Sequence, residues 1–361
     1  MPDAFFWLGL VIAVGTPFSD ESMKAIEHIV DAVFEPLVKE RKFSGVVLVA
    51  KDGKPLVRKA YGFADWTKRT PNTPETAFMI FSVTKQFTAA AVLRLHDRKL
   101  LSISDPVSKY VADWPQEWNS VTLHHLLSHS SGIDVDTLYF WLVKHHPRFW
   151  EDPDLPPPKY EGKPLVSEPG KVFRYSNAGF SVLSLVVERA SKKPFADALQ
   201  PEVFGPLGMS HTQCERATAV PNRARGHSLT ELKAEIVEQK THFIIGAGDV
   251  VSTADDMLKW DDALRGDGFL SVAAKKEMFT PHVRGKTGGM GYGWQIRERT
   301  NADPIHLFGG AGTGFRSLVV REPKKRLYLL LLGNCESPLD AEFAIALTGK
   351  IEAALEKKDQ K

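Results

Sequence analysis

Residues 45–65 read GVVLVAKDGKPLVRKAYGFAD and carry the pattern of a β-hairpin. Two β-rich runs flank Asp52-Gly53, a dipeptide that supplies the positive φ angles of a tight turn. The far end of the chain has the same character and contains three more β-rich runs, at residues 291–296, 315–320 and 327–332. Because β-rich runs must find strand partners, we expect both ends of the chain to share one antiparallel sheet.

Helical periodicity dominates the middle of the chain, at residues 85–98, 123–129 and 178–192, and further helices are predicted at residues 19–39 and 341–355. The expected fold class is therefore α/β (α+β), an antiparallel sheet flanked by helices, with a mainly helical subdomain inserted. Residues 19–361 would form a single domain. Its sheet subdomain would comprise residues 19–81 and 245–361, and its helical subdomain residues 82–244. A cleft between the two subdomains is the natural place for a functional site.

The composition is that of a globular protein, since 43 % of the 361 residues are hydrophobic and 25 % are charged. These fractions exclude disordered and fibrous classes. Lysine and arginine number 46 against 44 acidic residues, a formal net charge of +2. This balance, without a long basic run, argues against a nucleic-acid partner. Two cysteines cannot form a disulfide framework, and neither stands in a metal-ligand spacing.

Residues 4–15 read AFFWLGLVIAVG, an apolar run that is too short for a membrane-spanning helix of about 20 residues. Its length fits the core of an export signal, but Asp3 precedes it and no lysine or arginine does. Two interpretations of residues 1–18 stay open. An export signal would place the protein in the periplasm or outside the cell, whereas an N-terminal apolar helix packed on the body would leave it cytoplasmic. No other segment reaches membrane length.

Residues 81–85 read FSVTK and precede the helical run QFTAAAVLRLHDR. Ser82 and Lys85 are three residues apart and therefore face the same way at the start of a helix, where the dipole favours developing negative charge. A serine hydroxyl needs a base to become a nucleophile, and lysine is a base only when neutral. Neutrality at pH 7 requires its pKa to fall from about 10.4, at a cost of about 4 to 5 kcal/mol. By itself S-x-x-K also fits a helix cap beside an exposed lysine.

A second pattern, Tyr175-Ser176-Asn177, lies in EPGKVFRYSNAGF. The ordinary pKa of tyrosine is close to that of lysine, so the two groups can share a proton. Asn177 offers an amide donor and a carbonyl acceptor, which suit it to orienting a substrate amide or ester. By itself this cluster of Ser, Asn and Gly also indicates a turn. Together with Ser82 and Lys85 it points to nucleophilic catalysis on a small-molecule ester or amide.

With these motifs the chain resembles the serine β-lactamase-related family, which includes class C β-lactamases, D-alanyl-D-alanine carboxypeptidases and family VIII carboxylesterases. The resemblance runs from about Phe43 to Asn334 and includes the flanking segments SGVVLVAKDGKPLVRKAYGFAD, VTLHHLLSHSSGI, FGPLGMSHT and MGYGW. It implies a penicillin-binding-protein-like fold, with Ser82 as acylated nucleophile, Lys85 as base and Tyr175 as proton carrier. It also implies an oxyanion hole formed by the backbone N–H of Ser82 and of a residue on a sheet strand.

The third family motif, K-T-G or H-x-G on that strand, differs in this chain. A literal Lys286-Thr287-Gly288 stands in a glycine-rich loop before MGYGW, whereas the family motif follows MGYGW. The positional match is Phe308-Gly309-Gly310 in HLFGGAGTGFRSLVV. Ala311 would then supply the second oxyanion N–H.

This difference bears on the substrate. In the β-lactamases and D-alanyl peptidases of the resemblance, a cation in this region helps to bind the substrate carboxylate. Phe308 has no charge and suits an uncharged acyl or alkyl group, so a carboxylesterase for small or short-chain acyl esters is expected. His306, which would share a strand face with Phe308, or Arg316 could replace the cation. β-Lactamase and D-amino-acid peptidase activities therefore stay open.

Two rival interpretations concern a zinc site and a penicillin-binding protein without turnover. His125 and His129 have the i, i+4 spacing of a zinc pair, but no glutamate follows His125 as in H-E-x-x-H. We therefore expect no metal and no cofactor. A penicillin-binding sensor or scaffold without turnover is an alternative of another class, although all three proton-handling residues are present. The sequence leaves the oligomeric state and the acyl-chain and stereochemical preferences open.

Overall fold

The computed structural model describes residues 20–150, 159, 162–215, 220–229, 234–237, 244–300 and 302–359. Residues 1–18, with their two open interpretations, lie outside this part of the chain. None of the helices in the described ranges is long and apolar enough to cross a membrane.

One antiparallel sheet of eight strands draws on both ends of the described chain, as predicted. Its strands are β1 (Gly45–Lys51), β2 (Lys54–Tyr61), β10 (Val283–Gly285), β11 (Gly288–Met290), β12 (Gln295–Arg299), β13 (Ala302–Gly312), β14 (Phe315–Glu322) and β15 (Leu327–Gly333). Their order across the sheet is β10-β11-β12-β13-β14-β15-β1-β2. The first and last strands in the chain are neighbours, with Val47 opposite Leu331.

Short strands stabilise the connections outside this sheet. They are β3 (Phe63–Asp65), β4 (Thr70–Pro71), β5 (Phe78–Met79), β6 (Gln213–Cys214), β7 (His227–Leu229), β8 (Ala234–Ile236) and β9 (Val250–Ser252). The strands β3 and β4 form one pair, β7 and β8 another, and β9 lies between β5 and β6. The strand β5 matters most for the site, because the chain passes from it directly toward Ser82.

Nine helices of the described chain surround the large sheet. They are α1 (Asp20–Lys39), α2 (Thr84–Asp97), α3 (Leu123–Leu127), α4 (Val135–His145), α5 (Asn177–Ser191), α6 (Phe195–Leu199), α7 (Ala254–Arg265), α8 (Val272–Phe279) and α9 (Ala341–Asp359). The terminal helices α1 and α9 share one core cluster with one face of the sheet. The inserted helices share a second, larger cluster with the other face. The exact subdomain boundaries at residues 82 and 244 stay a prediction.

The predicted strand at residues 291–296 is wrong for its first four residues. Residues 291–294 form a turn between β11 and β12, in which the Gly291 N–H donates to the Trp294 carbonyl oxygen at 2.8 Å. Gly293 has a φ of 73°. A Cβ at Gly293 would lie 2.9 Å from the backbone nitrogen of Gln86 in α2. The glycine thus allows the turn to pack directly against the helix that follows the nucleophile candidate.

Candidate active site

Ser82 lies in a single 3₁₀ turn, Phe81–Val83, that joins β5 to α2. The sequence predicts Ser82 at the start of the α-helix, whereas the structure places it just before that helix. Phe81 has a φ of 45°, a strained value for a residue with a side chain. The strained turn reverses the chain sharply and leaves Ser82 partly exposed at the mouth of a cleft.

Lys85 follows one helical turn later and is fully buried. Its Nζ lies 2.7 Å from the carbonyl oxygen of Ala247, 2.8 Å from Asn177 Oδ1 and 3.2 Å from Ser82 Oγ. Burial lowers the pKa of Lys85 well below its ordinary value, and the charge of Asp249 opposes this shift only in part. This shift favours the neutral form of the amine.

The neighbours of Lys85 determine where its lone pair points. A neutral amine has two N–H bonds and one lone pair, and the oxygens of Ala247 and Asn177 can only accept hydrogen bonds. In the neutral form these two oxygens can take both N–H bonds, which leaves the lone pair to accept a hydrogen bond from the hydroxyl of Ser82. The Ala247 carbonyl was not found by sequence reasoning, because a backbone acceptor has no side-chain signature.

Tyr175 completes the group from the other side of the cleft. Its hydroxyl oxygen lies 2.6 Å from Ser82 Oγ. Burial raises the pKa of Tyr175 to about 12, and its hydrogen bond with Ser82 opposes the shift. The phenol therefore keeps its proton at neutral pH, and when the Ser82 proton points to Lys85 it donates a hydrogen bond to Ser82 Oγ. The result is a continuous path from Tyr175 through Ser82 to the lone pair of Lys85.

The helix α5 explains how Tyr175 and Asn177 reach this point. Ser176 caps the helix, and its Oγ accepts a hydrogen bond of 3.0 Å from the Gly179 N–H. Asn177 is the first residue of α5, and Tyr175 stands directly before the cap. The local structural role in this motif therefore belongs to Ser176, which caps the helix. The predicted chemical roles belong to Tyr175 and Asn177 on either side of it.

The strand β13 forms the opposite wall of the cleft. Its pairing with β12 extends only as far as Leu307, so residues 308–312 are not paired with β12. Residues Phe308, Gly309, Gly310 and Ala311 line a cavity of about 620 Å³ together with Ser82, Tyr175 and Asn177. Seven of the eight site residues predicted from the sequence line this cavity. The eighth, Lys85, lies beneath it and contacts two of the lining residues, Ser82 and Asn177.

Gly310 holds β13 against the chain that leads to Ser82. A Cβ at this position would lie 2.0 Å from the carbonyl oxygen of Ile80 and 2.5 Å from Ser317 Oγ. The Ser317 hydroxyl donates to that same Ile80 carbonyl at 2.7 Å. The close approach therefore requires glycine and sets the position of Ala311 relative to Ser82.

His306 and Arg316, the two residues that could replace the cation of the third motif, lie in different cavities. His306 lines a separate cavity, where its ring stacks on Phe279 at 4.3 Å and burial lowers its pKa to about 3. Arg316 lines the cleft and is opposite Ala311 in the strand register. Its side chain forms no hydrogen bond or ion pair with any residue in the described ranges, and its Nε is buried. The literal Lys286-Thr287-Gly288 lies at the β10–β11 hairpin instead.

His125 and His129 make separate contacts. The helix α3 ends at Leu127, so the two histidines do not share a helical face. His125 Nδ1 accepts from the Thr122 N–H, and His129 Nδ1 from the Ser176 N–H, both at 3.1 Å. No group of three histidine, cysteine or acidic side chains in the described chain is arranged to hold a metal ion.

Comparison with known proteins identifies the family of this chain. The family model described as Beta-lactamase matches residues 30–351. Penicillin-binding protein 4* of Bacillus subtilis (strain 168) is 29 % identical over 331 residues, which cover 87 % of this chain and 73 % of that protein. Esterase EstB of Burkholderia gladioli is 30 % identical over 323 residues, which cover 76 % of this chain and 80 % of that protein.

Solved structures share the fold. A penicillin-binding protein from Bacillus halodurans is 27 % identical with a TM-score of 0.70, covering 88 % of this chain and 99 % of that one. A class C β-lactamase is 19 % identical with a TM-score of 0.76, covering 94 % of this chain and 98 % of that one.

Proposed function

The chain belongs to the β-lactamase family and is a hydrolase of the serine β-lactamase fold, and we propose that it is a carboxylesterase for small or short-chain acyl esters. The observation that carries this proposal is the path from the Tyr175 hydroxyl through Ser82 Oγ to a buried, neutral Lys85. A neutral base next to a serine hydroxyl is what acyl transfer requires.

Acylation begins when Ser82 Oγ attacks the carbonyl carbon of the ester. Lys85 takes the hydroxyl proton as the new C–O bond forms, and the carbonyl electron pair moves onto oxygen. The backbone N–H groups of Ser82 and Ala311 stabilise this oxyanion. When the ester C–O bond breaks, Tyr175 gives its proton to the leaving alkoxide. The Lys85 ammonium then returns a proton to the phenolate, so an alcohol is released and the acyl group stays on Ser82.

Deacylation uses the same groups in the reverse sense. Lys85 removes a proton from water while the water oxygen attacks the acyl carbon. The bond from that carbon to Ser82 Oγ then breaks, and Ser82 regains its proton from Lys85. A carboxylic acid is released and the resting hydrogen bonds form again.

The preference for an uncharged substrate rests on Phe308. Its side chain lines the cavity and is only 7 % exposed, and it brings no charge to the strand that flanks Ser82. His306, which could have supplied a charge, lies in the other cavity. An acyl group next to β13 would therefore contact an aromatic ring and glycine backbone.

A second candidate function follows from Arg316. A guanidinium that lines the cleft without a described partner is suited to a bidentate carboxylate contact. Substrates with a free carboxylate, such as a β-lactam or a D-amino-acid peptide, would then be hydrolysed by the same machinery. The exposed carboxylate of Glu336, which lines the neighbouring cavity with Arg316, acts against such a substrate.

The test compares wild type with Ser82→Ala on p-nitrophenyl butyrate, nitrocefin and a D-Ala-D-Ala peptide. We expect turnover of the butyrate ester by wild type, loss of all turnover in Ser82→Ala, and fluorophosphonate labelling only when Ser82 is present. Ser104→Ala is the matched control, because Ser104 is exposed and outside the cleft. Full activity in Ser82→Ala would refute the proposal. A stable adduct with labelled penicillin and no turnover would indicate a sensor, and no labelling would indicate a scaffold.

A further inference from the structure

Tyr175 rests on a buried histidine that the proposed mechanism does not use. The rings of His129 and Tyr175 are stacked, with centroids 4.7 Å apart and an interplanar angle of 30°. Phe180 covers the histidine as well, at 4.9 Å between centroids. His129 is only 2 % exposed. The phenol ring therefore rests on a support that has little freedom to move.

The backbone contacts of His129 lie on both sides of Tyr175 in the chain. The Arg174 N–H donates to the His129 carbonyl oxygen at 2.8 Å. The Ser176 N–H donates to His129 Nδ1 at 3.1 Å. One residue thus accepts from the peptide groups before and after Tyr175, while its ring contacts the side chain between them. These three contacts define both the position and the tilt of the phenol.

The protonation state of His129 is set by the same contacts. Because Nδ1 accepts a hydrogen bond from Ser176, the ring proton must be on Nε2. Burial, the largest cause, holds the pKa of His129 well below its ordinary value. The ring therefore stays neutral, and Nδ1 remains an acceptor over the pH range in which an esterase is assayed.

We infer that His129 is a positioning residue, which holds the Tyr175 hydroxyl at hydrogen-bonding distance from Ser82 Oγ. Its stacked ring, its carbonyl and its Nδ1 carry this inference. Because the inference assigns His129 an effect only through Tyr175, it rests on the proposed function. Loss of the ring or of the Nδ1 acceptor would let the phenol tilt away, and displacements of about 1 Å in an active site can cost 100-fold in rate.

The experiment is a double-mutant cycle measured with p-nitrophenyl butyrate. His129→Asn keeps an acceptor near the Nδ1 position, removes the ring and tolerates the φ of 56° at this residue. His129→Phe keeps a ring but removes the acceptor. Each substitution is made in wild type and in Tyr175→Phe. We expect each to lower kcat by about 10- to 100-fold in wild type, with KM nearly unchanged, and by less than about 2-fold in Tyr175→Phe.

The outcomes separate the inference from the proposed function. An equal loss of kcat in both backgrounds would mean that His129 acts only on folding, and would overturn the inference while leaving the hydrolase intact. If Tyr175→Phe alone leaves kcat unchanged, the proposed role of Tyr175 fails instead. The tautomer is tested in wild type by ¹⁵N NMR of the imidazole. We expect only Nε2 to carry a proton between pH 5 and 9. A proton on Nδ1 would contradict the inference, and this measurement does not depend on whether the two variants fold.

Discussion

Ser82 Oγ and the Tyr175 hydroxyl oxygen lie 2.6 Å apart, although 93 residues separate them in the chain. Each residue stands directly before a helix, Ser82 before α2 and Tyr175 before the cap of α5. Lys85 Nζ lies 4.9 Å from the centroid of the Tyr175 ring. The packing of two helices thus brings the proposed nucleophile, base and proton donor into one hydrogen-bonded group.

Tyr175→Phe tests the donor role of the hydroxyl directly. The substitution keeps the ring that stacks on His129 and removes only the oxygen that contacts Ser82. We expect kcat for p-nitrophenyl butyrate to fall by about 100- to 10,000-fold, the range of a general acid–base group. Because the pKa of Tyr175 is about 12, wild-type activity should show no loss from phenol ionisation up to about pH 10. A loss with a midpoint near pH 8 that disappears in Tyr175→Phe would contradict this assignment.

Lys85→Met tests the base. Methionine fills similar space without an amine, so the Ser82 proton has no acceptor, and we expect kcat to fall by several orders of magnitude. Wild-type kcat should rise with pH as Lys85 loses its proton and should reach its plateau well below pH 10, because burial lowers the pKa of this amine. A pH–rate profile that is the same in both proteins would show that another group is the base.

The same substitution should remove a pH dependence of the free energy of unfolding. Because the pKa of Lys85 is lower in the folded than in the unfolded chain, the unfolded chain binds more protons between the two values, and wild-type stability rises with pH there. Lys85→Met lacks this dependence. We expect the stability of Lys85→Met relative to wild type to fall by up to about 1.4 kcal/mol per pH unit toward pH 10. Urea unfolding at several pH values measures this, and a difference that grows with pH would have the wrong sign.

Gly310→Ala tests the contact that aligns β13 with Ser82. The new methyl group would lie 2.0 Å from the Ile80 carbonyl oxygen, so the strand must move away. We expect a loss of about 1 to 3 kcal/mol of unfolding free energy, as for overpacking, and at least about 10-fold in kcat. Gly309→Ala is the matched control, because its nearest neighbour is the flexible end of Leu318 at 3.0 Å. Equal effects in both variants would argue against a specific role for the Gly310 contact.

Arg316→Gln tests the second candidate function. If the guanidinium binds a substrate carboxylate, kcat/KM for nitrocefin or the D-Ala-D-Ala peptide should fall by about 10-fold or more relative to that for p-nitrophenyl butyrate. Glu336→Gln should shift the same ratio in the opposite direction, because it removes a competing carboxylate. If neither substitution changes this ratio of kcat/KM values, Arg316 does not contribute to substrate selectivity.

Local patterns were sufficient for part of the site and the fold. The hairpin at residues 45–65 and the common face of Ser82 and Lys85 depend on residues a few positions apart, where chain geometry alone determines the outcome. The strand predicted at residues 291–296 was wrong for the same local reason, because its apolar and glycine residues fit a strand and a packed turn equally well. Only contact with α2 favours the turn.

By itself, the sequence determined the antiparallel sheet built from both ends of the chain. It also predicted the pairing of Ser82 with Lys85 and, through its resemblance to a family, the partners Tyr175 and Asn177. Tertiary structure alone decided that the Ala247 carbonyl directs the Lys85 lone pair, that His129 supports Tyr175, and that Arg316 rather than His306 reaches the cleft. The physical reason is that these three relationships join residues far apart in the chain. Backbone acceptors, ring stacking and side-chain direction leave no periodic pattern in a sequence, because they arise only when separate elements pack together.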